Sequence, residues 1–307
     1  MIPLEKQAKL ILGFISLIMM TLISGCSELA VLDPKGPVAL QQKDLIMLSI
    51  GFMLFIVLVV FVLFTFMIVR YRERPENADY EPPQDEGSKV LEIIWTVIPV
   101  IIVIALAVPT VKTIYALQEP PKATSHKDPV IIHATSVDWK WIFTYPEENI
   151  ETVNYLHIPE DRPILFKLTS ADSMAALWIP QLGGQEYNMA GMETEIYLQA
   201  DEPGTYKGRN ANFTGEGFAK QKFIVKAQTK GNFEKWVQET KESAPKLTQE
   251  KYNELMKMEL FTEKLTFSST HLEWVDHSKQ ADYAVKVRKG LDPSKDKHNH
   301  NGSHGSH

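Results

Sequence analysis

Few side chains in this sequence have both the type and the position to do chemistry. Cys26 is the only cysteine among 307 residues. One thiol can be acylated or stay free. It excludes an intrachain disulfide, a Cys-rich zinc site, an iron–sulfur cluster and any centre that needs two thiolates. Glu92 opens an uncharged run from Ile93 to Val111. A carboxylate at a helix N-terminus is favoured by the helix dipole, and at a membrane edge it can exchange protons with water. The plainer alternative is a charge that only caps the helix. His298, His300, His304 and His307 lie in a polar tail, residues 291–307. Such a run can bind metal ions weakly, whereas a disordered, solvated tail needs no ligand. A net charge of −6 and a pI near 5.9 give no overall basic field, so nucleic-acid binding has no electrostatic support.

The elements that must position these residues begin with the apolar segments, which a mean hydropathy of −0.15 conceals. Lys6 and Lys9 precede an apolar stretch from Leu10 to Ile23, a positive n-region followed by an h-region. Leu22-Ile23-Ser24-Gly25-Cys26 then resembles a bacterial lipoprotein cleavage box, in which the cysteine is lipidated and becomes the new N-terminus. Residues 1–25 are read as that leader, with a plain signal peptide or an uncleaved first helix as the alternatives. Residues 26–45 form an extracytoplasmic segment.

Residues 46–69 are uncharged and long enough to cross a hydrocarbon core, which takes about 20 helical residues. A loop, residues 70–92, holds Arg70, Arg72, Arg74, Pro75, Pro82, Pro83, Gly87 and Lys89. A second span, residues 93–113, carries Pro99 and Pro109, which membrane helices tolerate better than soluble ones. The basic loop is expected in the cytoplasm, although Lys35, Lys43, Lys112 and Lys122 make the bias modest. The cleavage box is the stronger constraint, because lipidation acts on the outer face. Cys26 and everything after Lys112 are therefore expected outside.

From Lys127 the pattern changes. Val130 to Ile132, Val137 to Tyr145, Ile164 to Leu168, Glu195 to Leu198 and Phe223 to Val225 read as short strands, separated by turn signals such as Tyr145-Pro146 and Pro203-Gly204. They predict a β-sandwich over residues 127–228. Between Val137 and Tyr145 the odd positions are large and apolar, so one strand face carries Trp139, Trp141, Phe143 and Tyr145 as core. Residues 229–290 read as a helical appendix, with Asn232 capping one helix and Thr248 another.

A membrane hairpin followed by an external sandwich, with Leu91-Glu92-Ile93-Ile94-Trp95-Thr96-Val97-Ile98-Pro99 opening the second span, resembles subunit II of haem-copper respiratory oxidases. Trp139-Lys140-Trp141, Tyr145-Pro146 and Trp178-Ile179-Pro180 match the same family, and the resemblance covers roughly residues 40 to 228. It implies a cupredoxin-like sandwich. Members that accept electrons from cytochrome c hold a dinuclear copper centre there, built from two thiolates, two histidines and a methionine. Ala175 stands at the first histidine position, Asn210 and Thr214 at the cysteines, Phe218 at the second histidine and Gln221 at the methionine. Asn212 replaces the glutamate whose carbonyl binds copper. No side-chain ligand of that centre is present, so no metal is expected in this chain.

A copper-free subunit II resembles the quinol oxidase branch, and more narrowly the menaquinol oxidases of Bacillus-like Gram-positive bacteria. Ser170 to Trp178, Arg209 to Phe218 and Val31 to Pro37 carry that likeness. The implied complex oxidises quinol, reduces O2 to water and translocates protons, with haems and copper in subunit I and no cytochrome c as donor. The implied role of this chain is to scaffold subunit I, with Glu92 at the mouth of a proton-uptake path. The alternatives from other classes are a lipid-anchored envelope binding or assembly protein that reuses the sandwich, and a cytochrome c oxidase subunit, which the missing ligands disfavour.

Overall fold

The computed structural model describes residues 29–72 and 87–293. Cys26 with the leader, Arg74 with Pro75, Pro82 and Pro83, and the four tail histidines lie outside them.

Helix α1, Pro37–Arg70, and helix α2, Lys89–Ala116, are the two spans, and they contact each other. Both are long and apolar enough to cross a membrane, and their side chains from Met53 to Val69 and along α2 are mostly exposed in the chain alone. Helix α1 starts well before the expected Ile46. Pro37 fits a first turn because that position needs no amide donor. Val38 and Ala39 are only 3% and 2% exposed, because this end of α1 is set into the sandwich. Val38 belongs to the sandwich core, and Gln42 Nε2 donates to the Gly184 carbonyl at 2.8 Å. A residue larger than glycine at Gly183, where φ is +126°, would collide with Val38. The span is thus rooted in the folded domain rather than hung from it by a linker.

The domain has two sheets. Their strands are β1 Val130–Val137, β2 Lys140–Tyr145, β3 Ile150–Val153, β4 Tyr155–Pro159, β5 Ile164–Ser170, β6 Ala175–Ile179, β7 Gly183–Asn188, β8 Thr194–Leu198, β9 Gly204–Asn210, β10 Lys222–Gln228 and β11 Leu265–Phe267. A six-stranded sheet runs β11-β3-β2-β1-β5-β8 and a five-stranded one β4-β10-β9-β6-β7. The expected strand Val137 to Tyr145 is in fact two, broken by a turn at Asp138 and Trp139. Asp138 has φ +46°, a left-handed conformation that aspartate tolerates better than most residues. Trp139 therefore leaves the strand. Trp141, Phe143 and Tyr145 remain in the inter-sheet core as expected, with the first two packed on Phe223 at 5.4 and 5.0 Å between ring centres.

The alternate positions, Lys140, Ile142 and Thr144, are fully buried as well. The appendix covers them. Helix α3, Lys230–Ser243, is capped by Thr229, whose side chain accepts from Asn232 N; Asn232 sits in the first turn instead of capping it. Helix α4, Gln249–Leu255, is capped by Thr248 as the sequence predicts. The appendix is not purely helical, since β11 pairs with β3 and extends the six-stranded sheet. With α5, Tyr283–Arg288, it builds a second core in which Val137, Ile142 and Val153 meet Tyr252, Leu255, Met256, Phe267 and Tyr283.

Candidate functional site

The turn Asp138-Trp139-Lys140 joins two polar networks. The first occupies the positions where the resemblance would place copper ligands. Asn210 ends β9, and its amide is saturated. Oδ1 accepts from Ala176 N and Asn212 N, both at 2.9 Å; Nδ2 donates to Gln221 Oε1 at 2.8 Å and Thr214 Oγ1 at 3.1 Å. Such an amide offers two donors and two acceptor sites, and all four are used. Thr214 Oγ1 donates on to Gln221 Oε1 at 3.3 Å. Trp139 Nε1 donates to the Thr214 carbonyl at 3.0 Å and pins the loop from outside. Gly217 lies against the same indole, where a Cβ would overlap the ring.

Of the sequence-derived positions, Asn210, Asn212, Thr214 and Gln221 thus come together beside the strand β6 that holds Ala175. Asn212 Nδ2 reaches the Met174 carbonyl at 2.8 Å. Phe218 does not join them; its ring packs on Phe213 at 5.6 Å. A dinuclear copper centre needs soft thiolate and imidazole donors. Here the side chains are amides, a hydroxyl, a methyl and a phenyl, and the amide groups are already tied to one another. The residues present do not fit that centre. Among the described residues no group of three or more His, Cys, Asp or Glu side chains converges to hold a metal ion.

The second network is charged and lies under the appendix. Arg288 Nη2 reaches Asp138 Oδ2 at 2.7 Å and Asp172 Oδ2 at 2.6 Å, while its Nε donates to the Met256 carbonyl. Both carboxylates are at least nine-tenths buried. Burial first, then the hydrogen bond and charge of Asp172, push Asp138 up to about 7. Asp172 moves the other way: burial opposes ionisation, but hydrogen bonds from Asp138, Arg288 and the Ser173 amide outweigh it. The pair holds one proton near neutrality. Lys140, with its pKa lowered by burial, donates from Nζ to the Leu255 and Lys257 carbonyls at 3.0 and 2.8 Å. Close by, Glu151 Oε2 meets His271 Nδ1 at 2.6 Å, and both residues are buried.

Sequence reading missed this second network. Its partners lie up to 150 residues apart, and no local pattern connects Arg288 to Asp138. Glu92 is remote from both networks. It sits exposed in the first turn of α2, its carbonyl accepting from Thr96 Oγ1 at 2.8 Å, about 36 Å along the helix from Ala116.

Residues 26–113 match the family model described as cytochrome C oxidase subunit II, transmembrane domain. The chain is 61% identical to quinol oxidase subunit 2 of Bacillus spizizenii and of Bacillus subtilis, over 95% of this chain and 91% of each relative. It is 48% identical to the probable quinol oxidase subunit 2 of Staphylococcus saprophyticus, over 91% of this chain and 73% of that one. Among solved structures, the periplasmic domain of subunit II of cytochrome oxidase from Bradyrhizobium japonicum is 22% identical, covering 36% of this chain and 93% of that one at a TM-score of 0.35. With two membrane-capable helices matched by that model and a sandwich rooted on the first, this is a membrane protein with a soluble C-terminal domain, and it belongs to the quinol oxidase subunit 2 family.

Proposed function

We propose that this chain is the second subunit of a respiratory quinol oxidase, a complex that oxidises menaquinol, reduces O2 to water and translocates protons. The observation that carries this reading is 61% identity across 95% of the chain to proteins of that name. Haems and copper held by subunit I supply the redox chemistry. This chain scaffolds that subunit: its hairpin packs on subunit I and its sandwich covers the outer face. The apolar surface of α1 and α2 supports the role, because such area must be covered by lipid or protein. The neutral network at Asn210, Thr214 and Gln221 supports a donor that reaches the complex from the membrane, with no call for cytochrome c or a copper relay in the sandwich.

In this arrangement residues 1–25 are removed, Cys26 is lipidated on the outer face, residues 70–92 lie in the cytoplasm, and residues 127–290 lie outside. Glu92 then stands at the cytoplasmic end of α2, where its carboxylate passes protons towards subunit I. Purification through a tag on this chain in mild detergent tests the assembly. Co-purifying haem with a reduced-minus-oxidised spectrum is the expected result; a pure, folded chain with no haem would sink it. Glu92→Gln is expected to slow proton-coupled turnover several-fold at normal haem content, and unchanged turnover would remove Glu92 from the path.

A further inference from the structure

The two outer faces of the sandwich end differently. The appendix buries that of the six-stranded sheet, whereas that of the five-stranded sheet stays open over β9 and β10. Lys207 and Arg209 on β9 and Lys222 and Lys226 on β10 are all exposed. In the register of this pair Lys222 stands opposite Arg209, Ile224 opposite Lys207 and Lys226 opposite Thr205. Alternate residues share a face, so the four cations point the same way. Like charges directly opposite each other weaken an antiparallel pair. Two further lysines extend the patch. Lys220, Lys222 and Lys264 line a cleft of about 340 Å³ with Thr262 and Asn154, above Phe223 and Ile224, and no carboxylate lines it.

The patch lacks internal counter-charges. Lys35, Lys167, Lys251 and Lys279 each have a carboxylate within 4.0 Å. Among the described residues, Lys207, Arg209, Lys220, Lys222, Lys226 and Lys264 form no such pair; Arg209 instead lies over the Trp178 ring at 4.4 Å. In a chain with 38 acidic and 32 basic residues, average composition does not explain an uncompensated basic face.

The residue types indicate the partner. Protein–protein interfaces are enriched in arginine and aromatic residues and depleted in lysine. Five lysines to one arginine is the opposite balance. A lysine ammonium is a compact point charge on a flexible stem, suited to phosphate groups that need no fixed angle. Several such contacts along one polyanion gain affinity from released counterions. We propose that the β9–β10 face, with the Lys220–Lys222–Lys264 cleft as its anchor, binds a linear polymer of repeated phosphate charges on the outer side of the membrane.

The test uses the intact complex in mild detergent and fluorescently labelled long-chain inorganic polyphosphate, with binding followed by anisotropy across a salt series. Lys220→Gln/Lys222→Gln/Lys264→Gln is compared with Lys235→Gln/Lys251→Gln/Lys279→Gln, which removes equal charge from lysines that have carboxylate partners. The first triple is expected to weaken binding at least tenfold and to flatten the slope of log affinity against log salt by about 2. The second is expected to stay within about twofold, and both are expected to keep wild-type melting temperature and quinol oxidation. Equal losses in both triples would reduce the effect to general charge and overturn the site. No binding at near-physiological salt would overturn it as well. Tighter binding of poly-glutamate or of anionic lipid vesicles at matched charge would assign the face to an acidic protein or a membrane instead.

Discussion

The two networks beside Trp139 solve one problem in different ways. At Asn210, Thr214 and Gln221 the groups are neutral and bond chiefly to one another within one loop, with single contacts out to the Ala176 amide on β6 and the Lys140 carbonyl on β2. At Asp138, Asp172 and Arg288 they are charged, mostly buried, and completed only by the last helix of the domain. A neutral, saturated network keeps its shape at any ordinary pH and asks for no ion. A charged one depends on a partner brought from far along the chain, and it titrates. The contrast separates the roles: the first is a plain structural joint, and the second is the latch that seats the appendix.

Removing the latch should cost most. Arg288→Met leaves two buried carboxylates facing each other, and loss of one partner from a buried pair costs about 3–5 kcal/mol, reduced here towards 2–4 because Arg288 is partly exposed. Thermal melting and proteolysis within residues 244–290 should both reveal a loosened appendix. A melting temperature equal to wild type would show that the second core alone holds it.

Asn210→Ala should come next, at about 2 kcal/mol, because it strands the donors and acceptors that Asn210 satisfies in a buried site. It should melt lower at every pH, as a neutral network requires. A loss confined to one pH range would mean that the network is coupled to the charged one.

Asp138→Asn should act mainly through pH. The folded pKa of about 7 lies above the unfolded value of 3.8, so the folded state binds the extra proton between them. The stability this proton supplies is present on the acid side and is lost as pH rises through 7. Buried histidines work in the opposite sense. His157 and His277 are held down to about 4 and about 3, chiefly by burial, so their contribution is lost as pH falls below 6.5. The difference between wild type and Asp138→Asn isolates the carboxylate: wild type should lose stability relative to the variant as pH rises from about 4 to about 7, with little further change above that. Parallel curves would remove Asp138 as a titrating group. Trp139→Phe, which removes the Nε1 bond to Thr214 together with part of the ring that packs on Gly217, is the smallest change, at about 1 kcal/mol in chemical denaturation.

Much of this architecture was legible because it follows local rules. The uncharged runs predicted both spans, the alternation at Trp141, Phe143 and Tyr145 predicted the inner face of β2, and Thr248 announced its helix. What failed was non-local. Lys140 and Thr144 look like solvent-facing residues until the appendix covers them, and the early start of α1 depends on Val38 finding a pocket beside Gly183. The split at Asp138 came from one left-handed residue that the apolar pattern could not reveal. At the candidate site, Asn210, Thr214 and Gln221 were placed by family resemblance; their mutual hydrogen bonds became visible only in three dimensions.

The most direct test of the account is oxygen uptake by the complex purified through this chain, measured with a reduced menaquinone analogue and, in parallel, with reduced cytochrome c. A copper-free second subunit in a quinol oxidase predicts fast uptake with the quinol and none with cytochrome c. Uptake driven by cytochrome c would contradict it, because electrons would then be entering through a sandwich whose ligand positions hold only neutral, hydrogen-bonded side chains.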